Sequence, residues 1–594
     1  MSDTAAPLAF RNLLSGLIRA PLRFPVTLAC GLGWAAITIA REHGIGDLEW
    51  NDVERLQVMF MTGLFLSLAA TLFAEGRGWK QPVSLGLAAA ALGFVALVVF
   101  AGGQKDAYDS PAFYLLGPGA VLLMTVAPFL RRGADGHAVW NFNLCSWVSA
   151  LFGLIVAVAL GLGITAFLGG LETLFGMDIH SKIYEDAWIV CMSVVWPWQT
   201  LAGVPGGFAA PEDGRAPRWA EYLIAWLLAP LAILYLLLLC GFAAKVLVTW
   251  NLPRGTIGWL VGGFAAYGLA VWSAAHPLRE TGNVVVRLYY RYFHFALFVP
   301  VLLLAVGVGA RVAEYGVTEK RYALVLLTVW LAGIALYGVL SRPARLTVAP
   351  ASFAALLILG AFGPWGATSV SLRSQLGQLE ALLTDAGILI AGRIEPDEGL
   401  ADQKQVRRIS NIVSYMRRSG KLGDLKGWLA EAGASPGKGE DNHALLAHMG
   451  LDYIEAWESG NGFNYSVSEH ETVDVAGFEL AHYVSLGADY DNEDFPPVGA
   501  PRRYQARSDG KILTVAPVGR PDARVAFDLD ALAEAVSDME LNWGDPKDQA
   551  AMTLEAEANG LRARLYVEHI SGQSTPNGNE VSYGRGLLLI GRVE

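Results

Sequence analysis

The sequence predicts a polytopic α-helical membrane protein of about eleven transmembrane helices, followed by a C-terminal α+β soluble domain containing a small antiparallel sheet. Three observations carry that class. Eleven uncharged, mostly apolar stretches fill the first 365 positions, each close to the roughly 20 residues that cross a bilayer core about 30 Å thick. Charge is partitioned: residues 1–369 hold 23 Lys and Arg against 20 Asp and Glu, whereas 370–594 hold 21 against 35, so the formal net charge of −11 belongs to the tail. Beyond about Asn464 the apolar period falls from that of a helix to that of a strand. These breaks divide the chain into a cytoplasmic segment 1–23, a transmembrane domain 24–368, a helical connector 369–432, a loop region 433–463 and an extracytoplasmic α+β domain 464–594.

The stretches run over 24–40, 56–74, 82–101, 111–130, 144–168, 187–204, 222–244, 257–275, 292–310, 322–340 and 346–365. The first follows Arg19 and Arg23 as a signal peptide would. It lacks a small-residue cleavage site, and Thr27-Leu28-Ala29-Cys30 is not a lipoprotein box, so it reads as a retained span. The sixth contains Pro197 beside Gln199, where a kink is expected and where a pathway would open if the chain transports. Because Lys and Arg stay on the cytoplasmic side, an inside N-terminus is preferred, placing fourteen basic residues inside against nine outside. An odd number of crossings then delivers the tail to the periplasm or exterior. All four cysteines lie in apolar stretches, which excludes a disulfide framework and a CxxC metal site. An acidic tail repels nucleic acid, so none is expected as a partner.

The middles of the eleven stretches hold no ionisable residue, which weighs against a proton-coupled carrier. Polar groups collect at the edges. Asp47, Glu49, Asp52 and Glu54 on the presumed outer side are the candidate carboxylates of a membrane glycosyl- or phosphotransferase, against the plainer reading of solvated loop. Glu172, Asp178, His180, Glu185 and Asp186 form a second acidic outer loop. On the presumed inner side His276, Arg279, Arg287 and Arg291 are candidate contacts to lipid phosphate, or else snorkelling anchors, and His294 is an interfacial histidine. Across the membrane, Arg311 and Glu314 stand three apart on one helix face. Gly316 can end that helix, Thr318 can cap the next and Arg321 follows, which together describe a structured hairpin.

The run from His276-Pro277-Leu278 through Arg311-x-x-Glu314-Tyr315-Gly316-Val317-Thr318-Glu319-x-Arg321-Tyr322, then Gly363-Pro364 and Ser369-x-Ser371-x-x-Ser374-Gln375, resembles the bacterial domain-of-unknown-function family numbered four-one-five-three. The likeness is most specific over 270–380. It implies a bacterial inner-membrane address and carries no reaction, ligand or catalytic residue.

In the tail, Leu372, Leu376, Leu379, Leu382 and Leu383 recur at helical spacing over 369–386. A second amphipathic helix places Val406, Ile409, Ile412, Val413 and Met416 on one face. Gly437-Lys438 lacks the spacing of a phosphate loop. Asn559-Gly560 predicts a two-residue hairpin pairing Ala558 with Leu561, Glu557 with Arg562 and Glu555 with Arg564. A weaker copy is expected around Asp509-Gly510, with strands at 478–486 and 587–593 and a short helix at 529–537. The histidines are scattered without ligand spacing, and the acidic stretch 489–494 reads as a solvated loop, so neither a metal nor a cofactor is expected. Three functions remain open: a non-enzymatic envelope scaffold or sensor presenting its β-containing domain to a protein partner, a transporter or lipid-handling protein, and the transferase. Membrane lipids are partners in each.

Overall fold

The computed structural model describes residues 10–592 except 47–48, 102–106, 109, 131–133, 211–215, 250–255, 342–343, 396–402, 420–427, 429–441, 452, 454–461, 468–472, 488–503, 521–523, 538–549, 559 and 576–577. Asp47, Asn559, most of the 433–442 linker and the 489–494 acidic stretch therefore lie outside the described residues. The chain forms two compact units, one of residues 1–382 with 415–425 and the other of 383–414 with 426–594.

The first unit is helical. Its helices are α1 (Phe10–Arg23), α2 (Pro25–Glu42), α3 (Trp50–Gly76), α4 (Gln81–Ala101), α5 (Gly117–Val126) after a π turn at Ala112–Leu116, and α6 (Gly136–Phe175). Then come α7 (Ser181–Val190), a π turn at Cys191–Val195, α8 (Trp196–Ala202), α9 (Arg218–Leu223), a π turn at Ile224–Leu228 and α10 (Ala229–Thr249). The set closes with α11 (Thr256–Ala274), α12 (Val284–Ala296), α13 (Phe298–Tyr315), α14 (Glu319–Leu340), α15 (Val348–Gly360) and α16 (Ala367–Asp385). Among the described residues eight helices are long and apolar enough to cross a membrane, nine if the α1–α2 pair, bent by 90°, is counted as one span. Eleven stretches were expected. The difference lies in composition and length: α7 carries Lys182, Glu185 and Asp186, and α15 has 13 residues, about 20 Å of helix.

Many of these helices are apolar all round and keep their side chains outside the core. Leu151, Ile155, Leu162 and Phe167 of α6 and Leu234, Leu237 and Leu238 of α10 are exposed. A water-soluble bundle would bury one face of each helix and charge the other. Contacts sort the connecting turns into two groups. Arg23 reaches Glu75, Val204 O and Pro205 O, Gln81 reaches Leu22 O, and Arg77 reaches Leu130 O. In the other group His43 pairs with Asp186, Ala107 N–H with Glu54, and Tyr322 with Trp365 O.

Pro197 explains the π turn before it. Without an N–H it cannot bond the carbonyl four residues back, Ser193 O, and α2 brings Gly31 so close to that oxygen that any side chain there would collide.

The second unit contains a five-stranded antiparallel sheet and a three-stranded one. The larger has β3 (Gly462–Ser466), β9 (Leu561–Thr575), β10 (Gly578–Arg592) and β4 (Leu480–Ser485) in that order, with β8 (Thr553–Ala558) also on β9. The smaller is β5 (Tyr504–Ser508), β6 (Ile512–Pro517) and β7 (Val525–Asp528). A helix over Leu529–Ser537 contributes Leu529, Leu532, Ala533 and Val536 to the core shared with Leu513, Phe527, Leu565 and Leu588. A separate two-residue ladder joins β1 (Leu389–Ile390) to β2 (Arg393–Ile394). The β8–β9 register has Ala558 opposite Leu561, Glu557 opposite Arg562 and Glu555 opposite Arg564, as the alternation requires. At β5–β6 the turn sits one residue later than expected. Asp509 N–H donates to Ile512 O, leaving Gly510 (φ +84°) and Lys511 as the central pair. α17 (Gln403–Arg418) buries Ile409, Ile412, Val413 and Met416, the face its spacing predicts.

Candidate functional site

Pro277 cannot continue α11, so the chain turns through a 3-10 segment at His276–Leu278 and restarts at α12, where Asn283 Oδ1 accepts from Val286 N–H at 2.9 Å. The start of α6 meets this corner. Asp135 caps α6 by accepting from His137 N–H, and Trp140 Nε1 donates to Ala274 O at 2.9 Å. Gly136 lets the His276 ring lie against the first turn, for a Cβ there would stand 2.5 Å from Nε2. His276 is 8% exposed and held at both nitrogens, Nδ1 at 2.9 Å from Tyr290 Oη and Nε2 at 2.8 Å from Arg279 Nη1. A guanidinium only donates, so Nε2 is the unprotonated nitrogen and Nδ1–H donates to Tyr290. Burial, then the charge of Arg279, then His137 pull the His276 pKa down to about 4, with Asp135 opposing. Behind it Trp272 stacks on Tyr290 (9°, 5.2 Å), His294 meets Trp272 edge-on, and His294 fills a notch left by Gly338 of α14. His137 Nε2 lies 3.5 Å from Arg279 Nη1 and its ring 5.3 Å from that of His276. Of the four residues expected at this boundary, His276 and Arg279 come together. Arg287 and Arg291 stand exposed on α12, Arg291 over the ring of Tyr292.

A second polar knot forms where α13 turns into α14. Gly316 takes φ +68° and ends α13, and Thr318 sits at the N-cap of α14 without a side-chain hydrogen bond. α16 supplies the partners. Val317 N–H donates to Ser374 Oγ at 2.9 Å, and Gln375 Nε2 donates to Tyr315 O and Val317 O at 3.2 and 3.1 Å. The Gln378 amide donates to Tyr315 O and accepts from Gly316 N–H. Arg321 closes the turn by donating to Tyr315 O and Gly316 O. Beneath it the Tyr415 hydroxyl is buried near Glu319, Ser371 and Ser419. Burial and the Glu319 carboxylate raise its pKa. The Glu314 side chain lies outside the described residues, and Arg311 is half-buried on the last turn of α13. Sequence reasoning found the hairpin and missed what grips it. The available signal was the Ser374, Gln375, Gln378 triplet, amides and a hydroxyl on one face of a helix leaving an apolar stretch.

The acids expected on the outer side are dispersed. Glu49 stands at the N-cap position of α3 without a side-chain bond, Asp52 pairs with Arg55 three residues on, and Glu54 is buried with Oε2 accepting from Ala107 N–H at 3.4 Å. Gln57 bridges Thr38 and Tyr108 beside them. Among the described residues no group of three or more His, Cys, Asp or Glu could hold a metal ion. Near Pro197 and the half-buried Gln199, a cavity of about 40 Å³ is lined by Asn143, Ser146, Thr200 and apolar neighbours, and another of about 30 Å³ lies by Arg55 and Ser110. Each is room for a water or two.

The family described as Domain of unknown function (DUF4153) matches residues 28–378, and the chain belongs to it. The match ends on Gln378, the last α16 residue of the turn's grip. The uncharacterized protein PM1469 of Pasteurella multocida (strain Pm70) is 24% identical over 317 residues, an alignment covering 52% of each chain. The chain thus spans about half the length of this curated relative. No solved structure matches it.

Proposed function

We propose that this DUF4153 member is a multi-pass protein of the bacterial inner membrane acting as a non-enzymatic scaffold or sensor. Its N-terminus is cytoplasmic, and its β-containing unit is presented outside the cytoplasm to an envelope protein partner. The observation that carries the reading is the grip of α16 on the 315–318 turn. A tether needs no such fixation. A base from which another unit is presented does, because the helix that leads out of it must itself be held.

Eleven crossings fit the two groups of turns. The continuous helix over 181–202, about 33 Å long, joins the His43–Asp186 group to the Arg23–Val204 group. α15 joins Arg345 to the Tyr322–Trp365 group, with the turns at 361–366 extending it. The outward apolar surface of α6 and α10 suits a lipid solvent. The cavities beside Thr200 and by Arg55 hold no more than a water or two, which favours packing over a conduit at those two places.

The test is a pair of measurements on the chain in cells. A phosphatase reporter fused at Asn442 should be active and one at Lys80 inactive. In-cell cross-linking should recover an envelope protein with the full chain and lose it with a chain ended after Leu382. An inactive Asn442 fusion, or unchanged recovery by the shortened chain, would sink the proposal.

A further inference from the structure

In the helical unit Arg279 is fixed chiefly by uncharged acceptors. Arg23 shows the ordinary arrangement: both Glu75 oxygens lie 2.8 Å from its guanidinium, and Val204 O and Pro205 O take its other hydrogens. Arg279 is held mainly by imidazoles. Nη1 faces His276 Nε2 at 2.8 Å, His276 O at 3.2 Å and His137 Nε2 at 3.5 Å. A neutral imidazole accepts a hydrogen bond as a carboxylate does but carries no negative charge. His276 is kept in that neutral form by burial among Trp272, Tyr290 and the α6 turn.

Among the described residues two carboxylates, Asp135 and Glu280, face the group. Asp135 accepts from His137 N–H through Oδ1, has no direct bond to Arg279, and acts on His276 only through its charge. Glu280 lies 3.3 Å from Arg279 Nε with its side chain 80% exposed, so water screens most of that attraction. Among the described residues Arg279 Nη2 has no hydrogen-bond partner and neither has His137 Nδ1. Where His137 Nε2 accepts from Arg279, Nδ1 carries the hydrogen and remains a donor. The Arg279 side chain is 29% exposed, open to a ligand yet already ordered, so little rotamer freedom remains to be lost on binding. The first turn of α6, a 40-residue helix, adds its positive end.

We propose that Arg279 and His137, backed by His276 and Tyr290, form a binding site for a phosphate group. Its source is either an anionic lipid headgroup or a soluble phosphate. The free Nη2 hydrogens of Arg279 suit a charge-assisted bond to phosphate oxygen, and His137 Nδ1–H is a further donor beside it. The site is independent of what the sheet unit meets.

The test uses the full chain in nanodiscs of phosphatidylcholine with and without phosphatidylglycerol, reading lipid retention by native mass spectrometry. In parallel, the unfolding midpoint is read in detergent with and without millimolar inorganic phosphate. Arg279→Gln and His137→Gln should each lower apparent affinity, the former by about tenfold or more, as expected for loss of charged hydrogen bonds. Arg279→Lys should recover part of it, and Arg218→Gln, an exposed arginine at the start of α9 outside the cluster, should change nothing. Retention of phosphatidylglycerol that depends on Arg279 assigns the lipid. Protection by inorganic phosphate that depends on Arg279, with no lipid preference, assigns the soluble anion. If Arg279→Gln does not fold, the partly exposed His137→Gln decides. Equal behaviour of wild type and both variants in both arms, or an equal loss in Arg218→Gln, overturns the site.

Discussion

The 315–318 turn and the His276 corner both place polar groups at the margin of an apolar bundle, and they spend them differently. At the turn, side chains bond backbone: Ser374, Gln375, Gln378 and Arg321 together satisfy Tyr315 O, Gly316 O, Val317 O and Val317 N–H. At the corner, side chains bond side chains, and a cation is left with capacity to spare. A backbone group stripped of water must be paired wherever it lies, so the first arrangement is a requirement of folding. The second exceeds what folding needs, which is why a ligand is sought there and not at the turn.

The largest expected effect breaks the turn. Gly316→Val puts a β-branched residue at φ +68° with its Cβ 2.9 Å from the Gln378 side chain, and should cost about 2–4 kcal/mol, seen as a large fall in unfolding midpoint and in yield from membranes. An unchanged midpoint would mean that α16 does not grip the turn. Next comes Gln375→Ala, which leaves Val317 O without its amide donor, at about 1–3 kcal/mol. Ser374→Ala should cost less, since the Val317 N–H that it abandons is one neutral bond.

Acid separates the two regions. His276 has a folded pKa of about 4 against 6.5 when unfolded, so between those values the unfolded chain holds more protons. Stability is therefore fully present above pH 6.5 and declines as pH falls toward 4, by about 2 kcal/mol after allowing for the solvent contact that remains. The unfolding midpoint measured from pH 7 to 5 should drop in wild type and drop less in His276→Gln. Gln375→Ala, with no titrating group removed, should keep the wild-type slope. Parallel slopes for all three would remove His276 as the acid-sensitive group.

What was legible in the sequence follows the range of the contact. The β8–β9 register was readable to the residue, because Gly560 and the alternation on either side of it lie within fifteen positions. Gly316 as a helix end was readable for the same reason. The grip of Gln375 on Val317 was not, since the partners are 58 residues apart and nothing in either segment names the other. His137 and Arg279 are 142 apart, and His137 gave no signal beyond standing near a helix start. The eleven apolar stretches were visible as composition, but their helical lengths depend on where turns begin. α6 gained 15 residues on the 25 expected, and α15 kept only 13 of 20.

The smallest effects test whether the same contrast holds in the sheet unit. Asp509 bonds backbone, its Oδ1 accepting from Lys511 and Ile512 N–H at 2.9 and 2.7 Å, and these amides hold its carboxyl below the usual range. Glu555 bonds side chain, reaching Arg564 at 2.5 Å and Arg562 at 3.8 Å across an exposed face. Asp509→Ala should open its hairpin by about 1 kcal/mol, whereas Glu555→Gln should cost a few tenths at most, as exposed pairs do. Hydrogen exchange of the Lys511 and Ile512 amides in the full chain reads the first, and that of Arg564 and neighbouring β9 amides the second. The folded Asp509 pKa is depressed, so its contribution is present above the unfolded value and fades as pH falls through the folded one. The difference between wild type and Asp509→Ala should shrink in acid accordingly. Should Glu555→Gln prove the more damaging of the two, the distinction between backbone-directed and side-chain-directed bonding would fail where it is simplest to measure, and with it the reason for treating the His276 corner as more than packing.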